Sequence, residues 1–433
     1  MMKYRITILF LALTAVLSVA CQETGDLGLC EMTVSLADAD GTYSVEGVEI
    51  VLKELSSSFE YHAATDARGQ AKFSVMPGIY DASCTFKEGF NLINGVSSMM
   101  KVSRGGENTF VMNLNSVKTH PLLIKEIYFA RCVDPVGKLY SSAAYMILYN
   151  NSSDAVCLHD FAIAQGCPSK ADSSNPYQKR GIDDLGYVPA LSAVWWFQKD
   201  VTLPAYSQIV VSIYAAIDHT QEIPNSVDLS GADYVMYDPE VFNNSRYYFS
   251  PYSGIDKSHY MKTLSYAAES DSWALSFKSP CLFVFQTEGV SPEEFVKNMD
   301  NIEDPDGKGT QNCAKVKLDW VHDGVEIFDS KDVTASHKRL ASMVDAGYVI
   351  SIERNGYSVY RNVDKEATEA LPENDGRLVY GYAGGTEDVE SGSTDPSGID
   401  AEASMANGAH IIYLDTNNSS KDFHLRKVAS IKK

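Results

Sequence analysis

The residues IKEIYFA at positions 124–130 and YMILYN at positions 145–150 carry the clearest structural signal in the sequence. Both runs are rich in β-branched and aromatic residues, and the turn-forming cluster NSSD follows at residues 151–154. Apolar residues then resume at residues 156–163. Short apolar runs separated by turn residues are typical of antiparallel strands, not of helices. The sequence therefore predicts that an antiparallel β-sheet begins here.

Three segments of the chain, taken in order, resemble a lamin-tail-type domain, which is an immunoglobulin-like β-sandwich. They are residues 124–164, LPAYSQIVV at residues 203–211 and the closing LDTNNSSKDF at residues 414–423. The resemblance implies a large sandwich over residues 120–433. It also implies long insertions, at about residues 215–310 and 384–407.

A smaller β-sandwich is predicted before it, over residues 29–116. Its most specific segment is ATDARGQAKFSVMPGIY at residues 64–80. Asp66 and Gly69 form a tight turn, and alternate residues of the following strand face one side. The segment resembles the regulatory-like domain of carboxypeptidases, a prealbumin-like sandwich. The predicted fold class is therefore all-β, with two sandwiches and a few short helices.

The amino terminus has the pattern of a lipoprotein signal peptide. Lys3 and Arg5 precede a short apolar run, and LSVAC at residues 17–21 resembles the site where a signal peptidase cuts before a lipid-modified cysteine. We expect residues 1–20 to be removed, Cys21 to carry lipid and residues 21–28 to form a tether. The alternative is an ordinary secretory signal followed by a chance cysteine.

Taken together, these features resemble an uncharacterised family of Bacteroidetes-type lipoproteins with no assigned function. The resemblance implies an outer-membrane protein, held by its lipid and exposed at the cell surface. The corresponding function is binding a small ligand as an accessory to nutrient or cofactor uptake by an outer-membrane transporter. The alternative is a structural or adhesive surface lipoprotein that binds a protein partner.

The charge of the chain argues against nucleic acid as a partner. The formal net charge is −21 at pH 7, with 57 acidic and 36 basic residues. An acidic surface repels phosphate backbones and anionic lipid headgroups. The simplest interpretation is that acidity keeps a tethered protein soluble, and the alternative is capture of cations.

The motifs of the common enzyme classes are absent from the sequence. It contains no H-E-x-x-H, no G-x-S-x-G and no phosphate-binding or dinucleotide-binding glycine loop. The seven cysteines after Cys21 are irregularly spaced and include no C-x-x-C pair. Aspartates near Gly307 lack the full calcium-loop pattern. We therefore expect neither an enzyme nor a metal or cofactor site, and most cysteines to be buried.

Aromatic residues supply the candidate ligand-binding positions. Trp195 and Trp196 are adjacent in a predicted strand, so they face opposite sides and one stays available to a ligand. Residues 233–260 are rich in tyrosine within a long insertion, and Tyr247, Tyr248 and Tyr252 are the candidates there. The alternative, which we favour, is that these tyrosine rings pack the insertion onto the sandwich.

Several local elements can also be predicted. Residues 291–299 begin with serine, proline and glutamate in the pattern of a capped helix, and residues 336–345 form a second candidate helix. Asp-Gly and Asn-Gly pairs predict hairpin turns at residues 322–324 and 354–356. Residues 384–407 are poor in large apolar side chains, which predicts a mobile loop.

Overall fold

A computed structural model describes residues 28–38, 43–57, 59–88, 91–221, 223–245, 248, 254–267, 270–354, 356–387 and 393–432. The chain divides into two compact units between Lys118 and Thr119. β-Strands are the main regular structure of both units, with only a few short helices, which confirms the predicted all-β fold class.

The N-terminal unit is a seven-stranded sheet in the order β3-β2-β5-β6-β7-β1-β4. Its strands are β1 (Cys30–Ala37), β2 (Glu49–Glu54), β3 (Glu60–Ala64), β4 (Gln70–Val75), β5 (Gly78–Glu88), β6 (Asn91–Val102) and β7 (Thr109–Lys118). Strands near both ends of this order contribute to one hydrophobic core, as Ile50, Phe73 and Val34 show. The sheet therefore encloses its own core.

The turn predicted between β3 and β4 is present. The Gly69 N–H donates to the Asp66 carbonyl at 2.8 Å, and Asp66 Oδ1 accepts from the Arg68 N–H at 2.8 Å. Ala71, Phe73 and Val75 of β4 are all buried. The alternation read from the sequence is therefore confirmed here.

Two larger sheets and two short strand pairs make up the C-terminal unit. The six-stranded sheet has the order β17-β16-β11-β8-β24-β25, with β8 (Leu122–Tyr128), β11 (Tyr145–Asn150), β16 (Gln208–Ser212), β17 (Tyr234–Val235), β24 (Ser358–Arg361) and β25 (Phe423–Arg426). The strand pairs are β9 (Cys132–Val133) with β10 (Leu139–Tyr140), and β12 (Val156–Cys157) with β15 (Thr202–Leu203).

The eight-stranded sheet has the order β20-β21-β14-β13-β19-β22-β23, with β18 also paired to β14. Its strands are β13 (Phe161–Gly166), β14 (Tyr187–Trp196), β18 (Lys262–Ser265), β19 (Cys281–Gln286), β20 (Ile302–Glu303), β21 (Cys313–Lys317), β22 (Val321–Asp329) and β23 (Val349–Ser351). The described residues form four α-helices, which are α1 (Pro292–Lys297), α2 (Lys365–Glu369), α3 (Ala401–Ala406) and α4 (Ser419–Asp422). Short 3₁₀ helices cover His219–Gln221, Lys257–His259, Met299–Asn301, Leu318–Trp320, Val333–Ala335 and Pro372–Asn374.

The main core lies between the two large sheets. Ile124 and Leu148 come from the six-stranded sheet, and Ile163, Trp195 and Val284 come from the eight-stranded sheet. Both sheets are also covered on their outer faces, so β8, β11 and β13 are buried along their whole length. The unit is therefore a β-sandwich with covered outer faces, and its strands read as continuous apolar runs.

The predictions around residues 120–166 and 291–299 are confirmed. β8 pairs with β11 in antiparallel fashion. Helix α1 begins after Ser291, whose hydroxyl accepts from the Glu294 N–H, while the Glu294 carboxylate accepts from the Ser291 N–H. The capping box therefore forms as its sequence indicates.

Four local predictions are wrong. Residues 336–345 contain no helix in the structure, although they are all described. Asp323 does not lie in a turn, because β22 runs straight through it. β23 pairs in parallel with β22, whereas β24 pairs with β8 and β25, so they form no hairpin. In each case contacts distant in sequence outweigh the local pattern.

The fourth error concerns the insertions. β19 lies inside residues 215–310, yet it is a central strand between β13 and β22. Residues 384–407 contain helix α3, capped by Asp400, and Asp395 is buried there. Residues 388–392 of this segment lie outside the described part of the chain. The described part is therefore packed onto the sandwich, and its polar composition misled the interpretation.

Candidate functional site

A β-bulge in the eight-stranded sheet creates the candidate site. Ala164 of β13 pairs with Val194 of β14, but Gly166 pairs with Ala190. Three residues of β14 therefore stand opposite the single residue Gln165. Bulges bend a strand and interrupt its hydrogen bonds, and they occur often beside binding and active sites.

The same bulge is where β14 changes its neighbour on the other side. Leu191 pairs with β21, whereas Ala193 pairs with β18. Ser192 between them has φ +66°, in the left-handed region that serine rarely adopts. Its N–H donates to the Asn312 carbonyl at 2.9 Å, and its carbonyl accepts from the Tyr266 N–H at 2.9 Å. These bonds hold the backbone in a conformation that costs on the order of 1 kcal/mol.

Gln165 is the polar residue at the base of this gap. Alternate residues of β13 face the sandwich core, and Phe161 and Ile163 both pack there. Gln165 occupies the next core-facing position and is only 4% exposed. Its carboxamide makes no hydrogen bond to any described residue. The carboxamide is not among the fully buried polar atoms that lack a partner, so it opens onto the gap, where water or a ligand can bond to it.

The gap opens into a pocket of about 370 Å³. This volume is within the range of about 300–1,000 Å³ that is usual for small-molecule sites. Uncharged polar residues dominate its walls, namely Gln165, Ser169, Ser173, Ser192, Ser272, Thr310 and Gln311. The remaining lining residues are Pro168, Leu191, Trp273 and Ala274. Loops distant in sequence therefore converge on the bulge.

Two of the residues predicted to bind a ligand support this wall from behind. Trp195 is fully buried and meets the Trp273 ring edge-on, with 6.2 Å between ring centroids. The Tyr248 hydroxyl donates to the Trp273 carbonyl at 2.8 Å and accepts from the Trp273 N–H at 2.9 Å. Both rings belong to the core. Trp195 and Tyr248 are therefore positioning residues that do not face a ligand, and Tyr248 packs onto the sandwich as the favoured alternative states.

Trp196 faces the opposite side of β14, as the alternation of a strand requires, and it is half-buried. It lines a second pocket of about 190 Å³, whose charged residues are Asp160, Lys199, Asp200 and Glu293. His159 contacts Asp200 at 2.6 Å, and that hydrogen bond raises the pKa of the imidazole. Trp196 also packs against the core on the outer face of the sheet, and its availability to a ligand stays a prediction. Cys21, Tyr247 and Tyr252 lie outside the described residues.

A second bulge occurs in the six-stranded sheet, and charged side chains fill it. Ile147 pairs with Glu126 and Leu148 pairs with Ile124, which leaves Lys125 as the extra residue of β8. The freed Ile124 N–H donates to Asp323 Oδ2 at 2.7 Å, and the Ile124 carbonyl accepts from Arg361 Nε at 2.8 Å. Arg361 also forms a buried ion pair with Asp323. The backbone N–H and carbonyl groups that the bulge leaves unpaired are therefore hydrogen-bonded by charged side chains of the protein itself.

The closing segment of the chain completes this charged cluster. Arg361 Nη1 lies 3.8 Å from both Asp415 and Asp422, so three buried carboxylates surround one guanidinium. Burial raises the pKa of Asp422 to about 7, against the opposing effect of Arg361. Burial likewise raises the pKa of Asp323 to about 6. The LDTNNSSKDF segment at residues 414–423 therefore has a structural role.

A further buried ion pair lies in the eight-stranded sheet. Arg339 Nη2 contacts Glu326 at 2.6 Å, and both side chains are fully buried. Arg339 also donates to the carbonyls of Pro168, Ser169 and Ser279, which ties a loop of the pocket wall to β22. This pair positions the wall and presents no charge to the pocket.

Metal and thiol chemistry find little support in the part of the chain that the structure describes. It contains no group of three His, Cys, Asp or Glu side chains placed to hold a metal ion. Asp304, in the aspartate-rich loop, accepts hydrogen bonds from the N–H groups of Lys308 and Gly309. The seven described cysteines are free thiols, and six of them are buried. None of the described helices has the length and apolar character needed to cross a membrane.

The pocket residues escaped prediction, although one of them left a signal. In the run FAIAQG at residues 161–166, the core-facing positions are Phe161, Ile163 and then a glutamine. A polar residue in a buried register is an exception worth testing. Ser192, Ser272 and Thr310 gave no such signal, because only the fold brings them together.

Fold and site together define a β-sandwich protein with an uncharged pocket at a sheet bulge. Residues 206–430 match the family model described as "Protein of unknown function (DUF4876)". The match covers more than half of the chain, so the protein belongs to this family. The expectation of a family without assigned function is thereby confirmed.

A solved structure from the same family shares the fold. A DUF4876 family protein from Bacteroides thetaiotaomicron is 20% identical, with a TM-score of 0.52 over 91% of this chain and 94% of that one. Fervidolysin from Fervidobacterium pennivorans, a keratinolytic enzyme related to subtilisin, is 16% identical over 30% of this chain and 26% of its own, with a TM-score of 0.18. The pilin subunit BcpA of Bacillus cereus is 9% identical over 69% of this chain and 94% of its own, with a TM-score of 0.17. The last two likenesses are too weak to carry an argument. No curated protein matches the sequence.

Proposed function

We propose that this protein is a lipid-anchored binding protein of the cell envelope. In this proposal the pocket at the β14 bulge holds a small ligand, and the protein presents that ligand to an outer-membrane transporter. The observation that carries the binding role is the carboxamide of Gln165, which lines the pocket and forms no hydrogen bond with another described residue. The fold does not use this polar group, whereas a ligand can.

Recognition without bond-breaking fits the chemistry of the pocket. Its described lining residues supply hydroxyls and amides, and none of them is a histidine, a cysteine or a carboxylate. General acid–base or nucleophilic catalysis by side chains depends mainly on such groups. The proposal therefore assigns no catalytic residue.

The anchor and the two domain types are part of the same proposal. The LSVAC pattern at residues 17–21 supports lipidation of Cys21, with residues 1–20 as the signal peptide. The 64–80 segment supports a carboxypeptidase-regulatory-like first domain, and the 414–423 segment supports a lamin-tail-like second domain. The first unit then serves as a spacer between the lipid and the binding unit.

Metabolic labelling with a fatty-acid probe tests the anchor. We expect the full chain to become labelled and to fractionate with the outer membrane. Cys21→Ala should abolish both, whereas Cys157→Ala, which changes an exposed thiol elsewhere, should leave both intact. An unlabelled wild-type chain, or a labelled Cys21→Ala variant, would remove the anchor from the proposal.

A thermal-shift screen against sugars, haems, siderophores and divalent ions tests binding. A ligand at a hundredfold excess over its Kd stabilises the folded state by about 2.7 kcal/mol. Thr310→Trp should remove the shift by filling the pocket. Flat shifts together with co-purification of a protein partner would favour the structural or adhesive role. The structural or adhesive role is supported by exposed apolar residues of the N-terminal unit, among them Val96 and Val111, which a protein partner could cover.

A further inference from the structure

We infer that the pocket at the β14 bulge recognises a neutral, hydroxyl-rich small molecule, with the chemistry of an uncharged carbohydrate. The inference deepens the proposed function and rests on it. Two observations support it. The described lining residues are polar but uncharged, and the charged side chain of Arg339 behind the wall is paired with Glu326 and does not reach the pocket.

The pocket wall is uncharged in a chain that is strongly charged. The protein has 57 acidic and 36 basic residues, yet none of the described residues that line the pocket is one of them. A ligand charge buried there would meet no opposite charge, and an unpaired buried charge is costly. The wall therefore selects against ions of either sign, even though the net charge of the whole protein attracts cations.

The hydrogen-bonding groups of the wall suit ligand hydroxyls better than ligand groups that can only donate or only accept hydrogen bonds. Gln165 and Gln311 each provide donors and an acceptor, and serine and threonine hydroxyls do both. A ligand hydroxyl can donate or accept as each neighbour requires. A purely apolar ligand would leave the Gln165 carboxamide unpaired.

The strongest charge near the wall is directed away from the pocket. Arg339 donates to the carbonyls of Pro168 and Ser169, whose residues line the pocket, but its side chain is fully buried. Its guanidinium is neutralised by Glu326 at 2.6 Å. An anionic ligand therefore gains no ion pair from it. Arg339 shapes the loop while leaving the wall uncharged.

The Trp196 pocket provides a contrast within the same strand. It carries Asp160, Asp200 and Glu293 against Lys199, so it suits a charged or cationic group. The two pockets have no described lining residue in common, and they present different chemistry. A charged probe that binds to the protein can therefore bind at this second pocket, and the test must separate the two locations.

Matched sugars that differ in one charged group provide the test. The probes are glucose, N-acetylglucosamine, maltose and cellobiose, with glucosamine and glucuronate as the charged counterparts. Each is titrated by calorimetry into the mature full chain at physiological salt. We expect at least one neutral sugar to bind saturably, and its charged counterpart to bind at least about tenfold more weakly.

Two variants locate the binding. Thr310→Trp fills the pocket, and Thr202→Trp makes the same change at an exposed threonine on β15 that does not line it. We expect Thr310→Trp to weaken sugar binding at least about tenfold and Thr202→Trp to leave it unchanged. Both variants should unfold at the same temperature as the wild type, since both positions are exposed.

The possible outcomes separate the inference from the function on which it rests. If a charged probe binds more tightly than the neutral sugars and Thr310→Trp abolishes that binding, the pocket is a binding site but the ligand class is wrong. Failure of every probe to bind at millimolar concentration overturns the ligand class. If the screen of haems, siderophores and ions also fails, the binding function itself is overturned. Sugar binding that Thr310→Trp does not affect overturns the location.

Discussion

The two large sheets of the C-terminal unit each contain a bulge, and the protein treats the two bulges in opposite ways. At Lys125 of β8, Asp323 and Arg361 occupy the backbone groups that the bulge frees. At Ser192 of β14, the bulge opens into a pocket with uncharged polar walls. Charged side chains in this unit therefore stabilise the fold, whereas neutral polar groups remain accessible to a ligand.

The largest expected effect comes from breaking the filled bulge. Arg361→Met leaves three buried carboxylates without their cation, so we expect a loss of about 3–5 kcal/mol in the free energy of unfolding. Urea denaturation followed by tryptophan fluorescence measures it. All four tryptophans lie in the C-terminal unit, so the signal reports that unit alone.

Arg377→Met is the matched control for this change. Arg377 is exposed and donates to the Gly408 carbonyl, so we expect at most about 1 kcal/mol of effect. If the two arginine variants unfold at the same urea concentration, the charged cluster does not hold the sheet together.

The filled bulge should also respond to pH, and the open bulge should not. Burial raises the pKa of Asp422 from 3.8 to about 7, so the folded state binds a proton that the unfolded state has released. This stabilisation is present at low pH and is lost as the pH rises through 7. Between pH 5 and pH 8 we expect a loss on the order of 2 kcal/mol from this group.

Asp422→Asn separates this effect from other titrations. The asparagine resembles the protonated aspartic acid, so the variant should match the wild type at pH 5 and be more stable at pH 8. Urea unfolding at the two pH values measures the difference. A variant that falls below the wild type at pH 8 would show that Asp422 is needed as an anion.

The open bulge should carry backbone strain. Ser192 has φ +66°, and glycine adopts that conformation without the steric cost of a Cβ atom. We therefore expect Ser192→Gly to raise the free energy of unfolding by about 1 kcal/mol, and Ser192→Ala to give no such gain. Equal stability of the glycine and alanine variants would argue against strain at this position.

Much of the fold could be predicted from the sequence, because several strands have clear local patterns. β8 and β11 are apolar runs next to turn residues, and β4 alternates apolar with polar residues after a turn. The structure confirms each strand. Asp323 shows where that reasoning stops. An Asp-Gly pair favours a turn locally, but in the fold Asp323 binds Ile124 and Arg361, which lie far away in sequence.

The pocket was harder to predict than the fold. Gln165 gave a signal, since it interrupts an apolar series, but its partners in the wall come from four separate segments. The aromatic residues attracted notice because tyrosine and tryptophan are common in binding sites. Trp195 and Tyr248 proved to support the wall from the core instead. Composition indicates which residues can bind a ligand, and packing decides which of them do.

The most direct test compares one glutamine from each bulge. Gln208 Oε1 accepts from Lys125 Nζ at 2.6 Å in the filled bulge, whereas Gln165 has no such bond in the open one. Urea unfolding of Gln165→Leu and Gln208→Leu measures what each contributes. We predict that Gln165→Leu leaves stability unchanged or raises it by about 1 kcal/mol, while Gln208→Leu lowers it by about 1–3 kcal/mol. If Gln165→Leu is destabilised as much as Gln208→Leu, Gln165 serves the fold, and the account of the pocket as a binding site is contradicted.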